Sequence, residues 1–312
     1  MYMITTVTMN PAIDRTITVK QFTYGDVNRV SASREDMGGK GINVSRILLT
    51  LGSDSTAIGF IGKSNYTLAD KLLRADGIPT NFVFVNAPTR INMKLLDSSK
   101  HTTTDINEAG FAVSEKELDD LRHLIDISAA ASSFIVFSGS VPKGLPATIY
   151  RDLITRVPAS CKTVLDADGA LLMKGLEAEP FLIKPNIHEL ESALGRSLDG
   201  NPAIVEAACE LIRQYNITYV LVSMGADGSI LVNKDQAVYA APLTVSVKGT
   251  VGAGDSMLAG FIHGLSENYS LSAALAWATA CGALAVSQEG TQAFKKEEAQ
   301  KLAAAVHIST IG

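Results

Sequence analysis

The chain has 312 residues, 46% hydrophobic and 19% charged, with a net charge of −5. It is apolar enough to bury a large core, which excludes a disordered chain, and acidic enough to exclude a general nucleic-acid or anionic-membrane surface. Cys161, Cys209 and Cys281 are too scattered for a disulfide framework or a structural zinc, and they point to a reducing cytoplasm.

Met1–Asn10 has no basic flank and soon meets Asp14 and Arg15, so no secretory signal is expected; its apolar part predicts a first strand over Met3–Met9. Helical spacing then predicts a helix over Asn43–Leu51, followed by a strand over Ser55–Ile61 and a helix over Tyr66–Asp76. The middle of the chain predicts a helix over Glu115–Ala131, a strand over Phe134–Phe137, a helix over Ala147–Arg156 and strands over Thr163–Leu165 and Phe181–Ile183. Next come helices over Ile187–Leu194 and Pro202–Gln214, a strand over Tyr219–Val222 and three closing helices, Gly254–Leu265, Leu271–Val286 and Lys295–Val306. The longest apolar run, Ala273–Val286, is shorter than the ~20 residues that cross a bilayer, and reads as a buried helix.

Strands alternating with helices predict an α/β fold with a mostly parallel sheet covered on both faces. Residues 13–36 and 81–106 break that rhythm by mixing apolar residues such as Ile17, Val19, Phe82, Phe84 and Ile91 with many polar ones. Both predict exposed antiparallel strands forming a small lid sheet on a single domain, 1–312.

The strongest chemical signal is Thr250-Val251-Gly252-Ala253-Gly254-Asp255, directly before an apolar helix. Small residues let an anion approach the backbone, and the first amides of a helix lack partners and point at it. Asp255 then stands beside that anion as the group to take a proton. A plain turn with an aspartate favouring the helix dipole fits the same residues, and that dipole is expected to lower the carboxyl pKa. Gly38-Gly39-Lys40-Gly41-Ile42-Asn43 opens another helix with backbone donors, an ammonium and an amide; a glycine turn capped by Asn43 is the simpler alternative. A Walker A loop and an early G-x-G-x-x-G are both absent. The histidines, His101, His123, His188, His263 and His307, show no metal-ligand spacing.

These two glycine motifs, with Asn10-Pro11-Ala12-Ile13-Asp14, Asp26–Val30, Asn43-Val44-Ser45-Arg46, Thr89-Arg90-Ile91-Asn92 and Ser138–Pro142, resemble the ribokinase-like (PfkB) carbohydrate kinases over essentially the whole chain. The resemblance implies a three-layer α/β/α sandwich with a mostly parallel central sheet and a small antiparallel β lid. Within the family the residues most resemble the branch that uses ATP and Mg2+ to phosphorylate fructose 1-phosphate at its 6-hydroxyl; tagatose 6-phosphate is the alternative acceptor, and a non-catalytic sugar-phosphate sensor on the same fold is the remote alternative function.

By resemblance Asp255 matches the proton acceptor, and Gly252, Ala253 and Gly254 the anion hole. Asp14, Gly38, Gly39, Lys40, Asn43 and Asn92 fall in the acceptor site, and Arg90 meets the substrate's own phosphate, whereas Arg29 reads more simply as an exposed lid residue. Lys184 and Asn186 fall near the nucleotide phosphates, with Glu189 near magnesium through water; Asn186 and Glu189 also have capping-box spacing. Ser223, Gly225, Ala226 and Gly228 match the nucleotide loop. Gly249 departs from the family, which often carries Asp, Asn or Ser there. A homodimer packed through the lids, acting in the cytoplasm without nucleic acid or membrane, is the expected setting.

Overall fold

The computed structural model describes residues 3–100, 102–288 and 290–311. The first part of the chain forms β1 (Ile4–Thr8), β2 (Ala12–Val19), β3 (Val30–Gly38), α1 (Lys40–Thr50), β4 (Ser55–Gly62), α2 (Tyr66–Ala75), β5 (Thr80–Val85), β6 (Arg90–Asp97) and β7 (Thr102–Ile106). The middle adds α3 (Glu115–Ala130), β8 (Phe134–Ser138), α4 (Ile149–Ile154), β9 (Lys162–Asp166), α5 (Gly169–Leu176), β10 (Leu182–Ile183) and α6 (Ile187–Leu194). The last part forms α7 (Gly200–Tyr215), β11 (Tyr219–Ser223), β12 (Ser229–Val232), β13 (Ala237–Ala240), α8 (Ala253–Ser266), α9 (Leu271–Val286), α10 (Lys296–Ala303) and β14 (Ile308–Ile311).

The large sheet has ten strands in the order β14-β13-β12-β11-β10-β9-β8-β1-β4-β5. From β11 to β5 every pairing is parallel, and β12, β13 and β14 add an antiparallel edge. Period-two alternation sends successive side chains to opposite faces. In β8, Ile135 and Phe137 pack with Leu121 and Ile125 of α3, Leu153 of α4 and Leu211 of α7, whereas Phe134 and Val136 pack with Leu48 of α1, Leu258 and Phe261 of α8 and Trp277 of α9. The result is the three-layer sandwich that the alternation predicts.

α8 and α9 pack very closely because α8 carries small residues on the contacting face. A Cβ on Gly260 would come within 2.7 Å of the Trp277 carbonyl and 2.8 Å of Cys281 Sγ, and one on Gly264 within 2.7 Å of Ala274 Cα.

The second sheet has the order β3-β2-β6-β7. Its outer pairs are antiparallel and its middle pair, β2 with β6, is parallel. Segment 13–36 supplies β2 and β3 as expected. Segment 81–106 divides: Phe82–Val85 is not a strand of the small sheet but belongs to β5, at the edge of the large one, parallel to β4. Val85 is buried there and Phe82 packs beside Ile61 and Leu73, a burial that the mixed polarity of the segment conceals.

Candidate active site

Chain order reverses direction in the large sheet at β1, which lies between β4 and β8. A crevice opens at the carboxyl ends of parallel strands where such a reversal occurs, and it is the usual ligand site of an open α/β sheet. Thr8, Ser138 and Asp166 end β1, β8 and β9 there, and Lys184 follows β10 directly.

α8 presents its N-terminus to this crevice. Gly252 caps it at φ 78°, in the left-handed region that glycine enters freely. Among the described residues the amides of Gly254 and Asp255 have no backbone or side-chain acceptor, while Ala253 N–H makes a 3.3 Å turn bond to the Thr250 carbonyl. Gly254 and Asp255 are therefore the freer donors of the expected anion hole, and Ala253 is partly engaged. The Lys184 ammonium lies against the same tip: a Cβ on Gly254 would sit 3.1 Å from its Nζ.

The Asp255 side chain is buried and accepts a 2.8 Å hydrogen bond on Oδ2 from Asn43 Nδ2. Its pKa corrects the expectation from the helix dipole. Burial, and after it the negative charge of Asp166, push the carboxyl up to about 6, and the lowering by Lys40, Asn43 and Lys184 does not offset them. Asn43 is held in turn on α1 rather than acting as its cap; Gly39 takes the cap position at φ 127°. Gly39 has no room for a side chain, because a Cβ would press within 2.7 Å of Thr8 Cγ2.

Asp166 is a residue for which the motifs gave no role. Wholly buried, it bridges two lysines, at 3.0 Å to Lys40 Nζ and 3.5 Å to Lys184 Nζ. The two ammonium groups hold its carboxyl below the usual range despite burial, and Asp166 in turn raises Lys40. The available signal was an acidic residue ending a buried parallel strand, a position that faces the crevice.

Asp14 and Asn92 sit side by side on β2 and β6, with Asn92 Nδ2 donating to Asp14 Oδ1 at 3.0 Å. Gly38 makes room for that carboxylate, since a Cβ there would overlap Asp14 Oδ2. Burial, the largest influence, raises the Asp14 pKa against the opposing effects of Asn92, Arg90 and Lys94. Asp14, Asn92 and Lys94 line a cavity of about 220 Å³ between the small sheet and residues Val251 and Thr291; a larger one of about 630 Å³ adjoins it along Arg34, Lys94 and Lys248–Val251. Lys94 is thus a cleft-lining cation that the motifs did not single out.

Arg90 is more constrained than expected. Its guanidinium donates to the carbonyls of Pro11, Glu108 and Asn10 at 3.3, 3.0 and 3.0 Å, so only part of its five-donor fork is left for an anion. Arg29 is exposed, as its reading as a lid residue anticipates.

Asn186 and Glu189 form a complete capping box for α6: Glu189 N–H donates to Asn186 Oδ1 at 2.9 Å, and Asn186 N–H to Glu189 Oε2 at 2.8 Å. Glu189 also adds to the negative field on Lys40. Ser223 N–H donates to the Pro185 carbonyl at 3.1 Å, which joins the Lys184–Asn186 segment to the loop of Gly225, Ala226 and Gly228. Gly225 and Gly228 both have positive φ, and a Cβ on Gly228 would overlap the Ala240 carbonyl. Gly249 is held by its main chain alone, its N–H donating to the Val286 carbonyl at 3.3 Å. Among the described residues no group of three His, Cys, Asp or Glu side chains could hold a metal ion; His101 lies outside the described residues.

The helix tip, the buried carboxylate beside it and the two braced ammonium groups suit the handling of a phosphoryl group, and they stand at the crevice of a three-layer sandwich that carries a small second sheet. A family model described as "pfkB family carbohydrate kinase" matches residues 7–298, and the chain belongs to that family. It is 38% identical over 288 residues to the 1-phosphofructokinase of Escherichia coli strain K12, covering 91% of each chain. It is 34% identical over 309 residues to the 1-phosphofructokinase of Vibrio cholerae, covering 99% of this chain and 97% of the relative. The crystal structure of phosphofructokinase-2 from Escherichia coli in complex with fructose-6-phosphate matches with a TM-score of 0.90 at 27% identity, covering 98% of this chain and 99% of that one.

Proposed function

We propose that this chain transfers the γ-phosphoryl group of MgATP to the 6-hydroxyl of fructose 1-phosphate, giving fructose 1,6-bisphosphate and ADP. The observation that carries this reading is the buried Asp255 carboxylate beside the unpartnered amides of Gly254 and Asp255, with Lys40 and Lys184 fixed nearby by Asp166. The names of the Escherichia coli and Vibrio cholerae relatives support the choice of fructose 1-phosphate.

In this reading the 6-hydroxyl attacks the γ-phosphorus as the bond to the β,γ-bridging oxygen breaks. Asp255 takes the hydroxyl proton. Charge spread over the γ-oxygens in the transition state meets the amides of Gly252–Asp255 and the Lys184 ammonium, donors already oriented before reaction. Lys40 offsets negative charge on the acceptor side. Asp14 and Asn92 hold sugar hydroxyls through one acceptor and one free amide oxygen; Gly38 and Gly39 let the sugar approach the backbone. The remaining Arg90 donors and Lys94 meet the 1-phosphate. Ser223, Gly225, Ala226 and Gly228 carry the nucleotide, with Asn186 beside them. Magnesium would come with ATP and offset charge on its phosphates, and Glu189 is the carboxylate that would face it through water.

The small sheet closes over the cleft as a lid on a single domain and excludes water as a competing acceptor. The protein works as a homodimer in the cytoplasm. Coupled ADP detection with fructose 1-phosphate, tagatose 6-phosphate and fructose 6-phosphate tests the acceptor. The highest kcat/KM is expected for fructose 1-phosphate; a higher value for tagatose 6-phosphate would reassign the substrate with the same machinery, and no ADP with any sugar phosphate would remove the kinase reading.

A further inference from the structure

Arg46 stands one turn beyond Asn43 on the same face of α1, and its side chain is 6% exposed. Its Nη1 donates to Asn43 Oδ1 at 2.7 Å. Its Nη2 donates to the Met37 carbonyl at 2.6 Å and to Asp76 Oδ2 at 2.8 Å, and Nε donates to that same carboxylate oxygen at 3.0 Å. A guanidinium has donors and no acceptor, so it matches the oxygen end of the Asn43 amide and not its nitrogen end. The Nδ2 end must then turn to Asp255 Oδ2, 2.8 Å away. The flipped amide would set NH2 against guanidinium and carbonyl against carboxylate, two repulsive contacts in a buried place.

We propose that Arg46, braced by Asp76 at the end of α2, is a positioning residue for phosphoryl transfer: it fixes the Asn43 amide so that Asn43 occupies Oδ2 of Asp255 and leaves Oδ1 to receive the acceptor proton. The role rests on Asp255 being the proton acceptor. The groups facing Asp255 are Lys40 and Asn43 from α1, Asp166 from β9 and Lys184 after β10. The Asn43 bond favours the ionised carboxylate, so loosening it makes Asp255 harder to ionise. A scaffold role for Arg46 would lower stability without moving a titration.

The test is steady-state kinetics with MgATP and fructose 1-phosphate from acid to alkaline pH, with thermal melts as a check on folding. Arg46→Met removes every donor while keeping an aliphatic stem. It should lower kcat about tenfold, the size of one hydrogen bond to a charged group, and move the acid limb of kcat/KM to higher pH. The KM for ATP should stay within about twofold. In an Asn43→Ala background, Arg46→Met should lower kcat no further, because Arg46 acts through Asn43. A folded Arg46→Met with parental kcat and an unmoved acid limb overturns the proposal, as does an equal further loss in the Asn43→Ala background. Should Arg46→Met fail to fold, Asp76→Asn takes its place: a smaller loss with the same pH shift is expected, and parental kinetics overturn the proposal. Asp255→Asn is measured alongside. Turnover in that variant would sink the proton-acceptor reading itself; an inert Asp255→Asn with unaffected Arg46 and Asp76 variants would sink only the positioning role.

Discussion

Burial and the neighbouring Asp166 lift the Asp255 carboxyl to about 6, and this sets the direction of three effects. In the proposed mechanism the ionised form accepts the proton, so kcat/KM of the parent should fall as pH drops through about 6, well above the range of an ordinary aspartate. Asp166→Asn removes the neighbouring charge that raises Asp255 and should move that acid limb to lower pH. The same change frees Lys40 and Lys184, so kcat should drop at least about tenfold at any pH. Stability runs the other way. A carboxyl whose folded pKa is raised favours the fold while protonated and loses that contribution as pH rises through the folded value. Asp255→Asn carries no such loss, so its melting temperature should exceed the parent's by about 2–4 °C at pH 8, with the gap narrowing below about pH 6 and closing only near the ordinary aspartate pKa, about pH 4. Its turnover should fall at least about a thousandfold, as for removal of a general base together with its charge. Calorimetry and coupled ADP detection on one preparation measure both. The place of Asp255 in the first turn of a helix was legible because small residues precede an apolar helical run, although a plain turn fits the same residues. Asp166 was not, because its role consists of two contacts from distant segments, Lys40 and Lys184, that no local spacing encodes.

Elements with clear apolar patterns were legible in the sequence, even the two-residue β10, whereas several short ones without such a pattern were not. The apolar run Leu271–Val286 and the capped α6, Ile187–Leu194, have the bounds that their patterns predict. α5 went unread: eight residues with two glycines and an N-cap Asp168 that makes no side-chain cap bond give little helical signal. β12, β13 and β14 were also missed, each four residues long and fixed by pairing with a neighbour rather than by propensity. Gly260 reads in sequence as a weak point in a helix, and in the structure as the site of close approach between α8 and α9. Gly260→Val should destabilise the protein by at least about 2 kcal/mol, since backbone rather than a flexible side chain stands in the way. Because α8 carries Asp255, the same variant should lose turnover before it unfolds. Denaturant melts paired with activity at each concentration separate the two losses, and a variant as stable as the parent would show that α9 moves aside without loss.

At the scale of the whole molecule, the small sheet leaves apolar side chains in water. Tyr24 is 94% and Val27 78% exposed on the β2–β3 connection, which also carries Phe22, and exposed Val30 opens β3. Such a cluster on a sheet's edge invites pairing with a second copy, which is the ground for the proposed dimer. Light scattering at micromolar concentration should give twice the chain mass, and Val27→Glu should shift the population to monomer while leaving the melting temperature of the body unchanged. Segment 81–106 divides between two sheets because strand partners are chosen by long-range packing: Phe82–Val85, expected as an antiparallel lid strand, pairs parallel to β4 at the edge of the large sheet.

In the proposed reaction the terminal phosphate of ATP lies at the tip of α8, with Asp255 facing the oxygen that attacks it. A crystal structure with fructose 1-phosphate and a non-hydrolysable ATP analogue measures it directly. The γ-phosphate is expected within hydrogen-bonding distance of the Gly254 and Asp255 amides, and the 6-hydroxyl beside Asp255 Oδ1. A γ-phosphate bound away from that tip, or a sugar with its phosphate rather than its 6-hydroxyl against Asp255, would contradict the account.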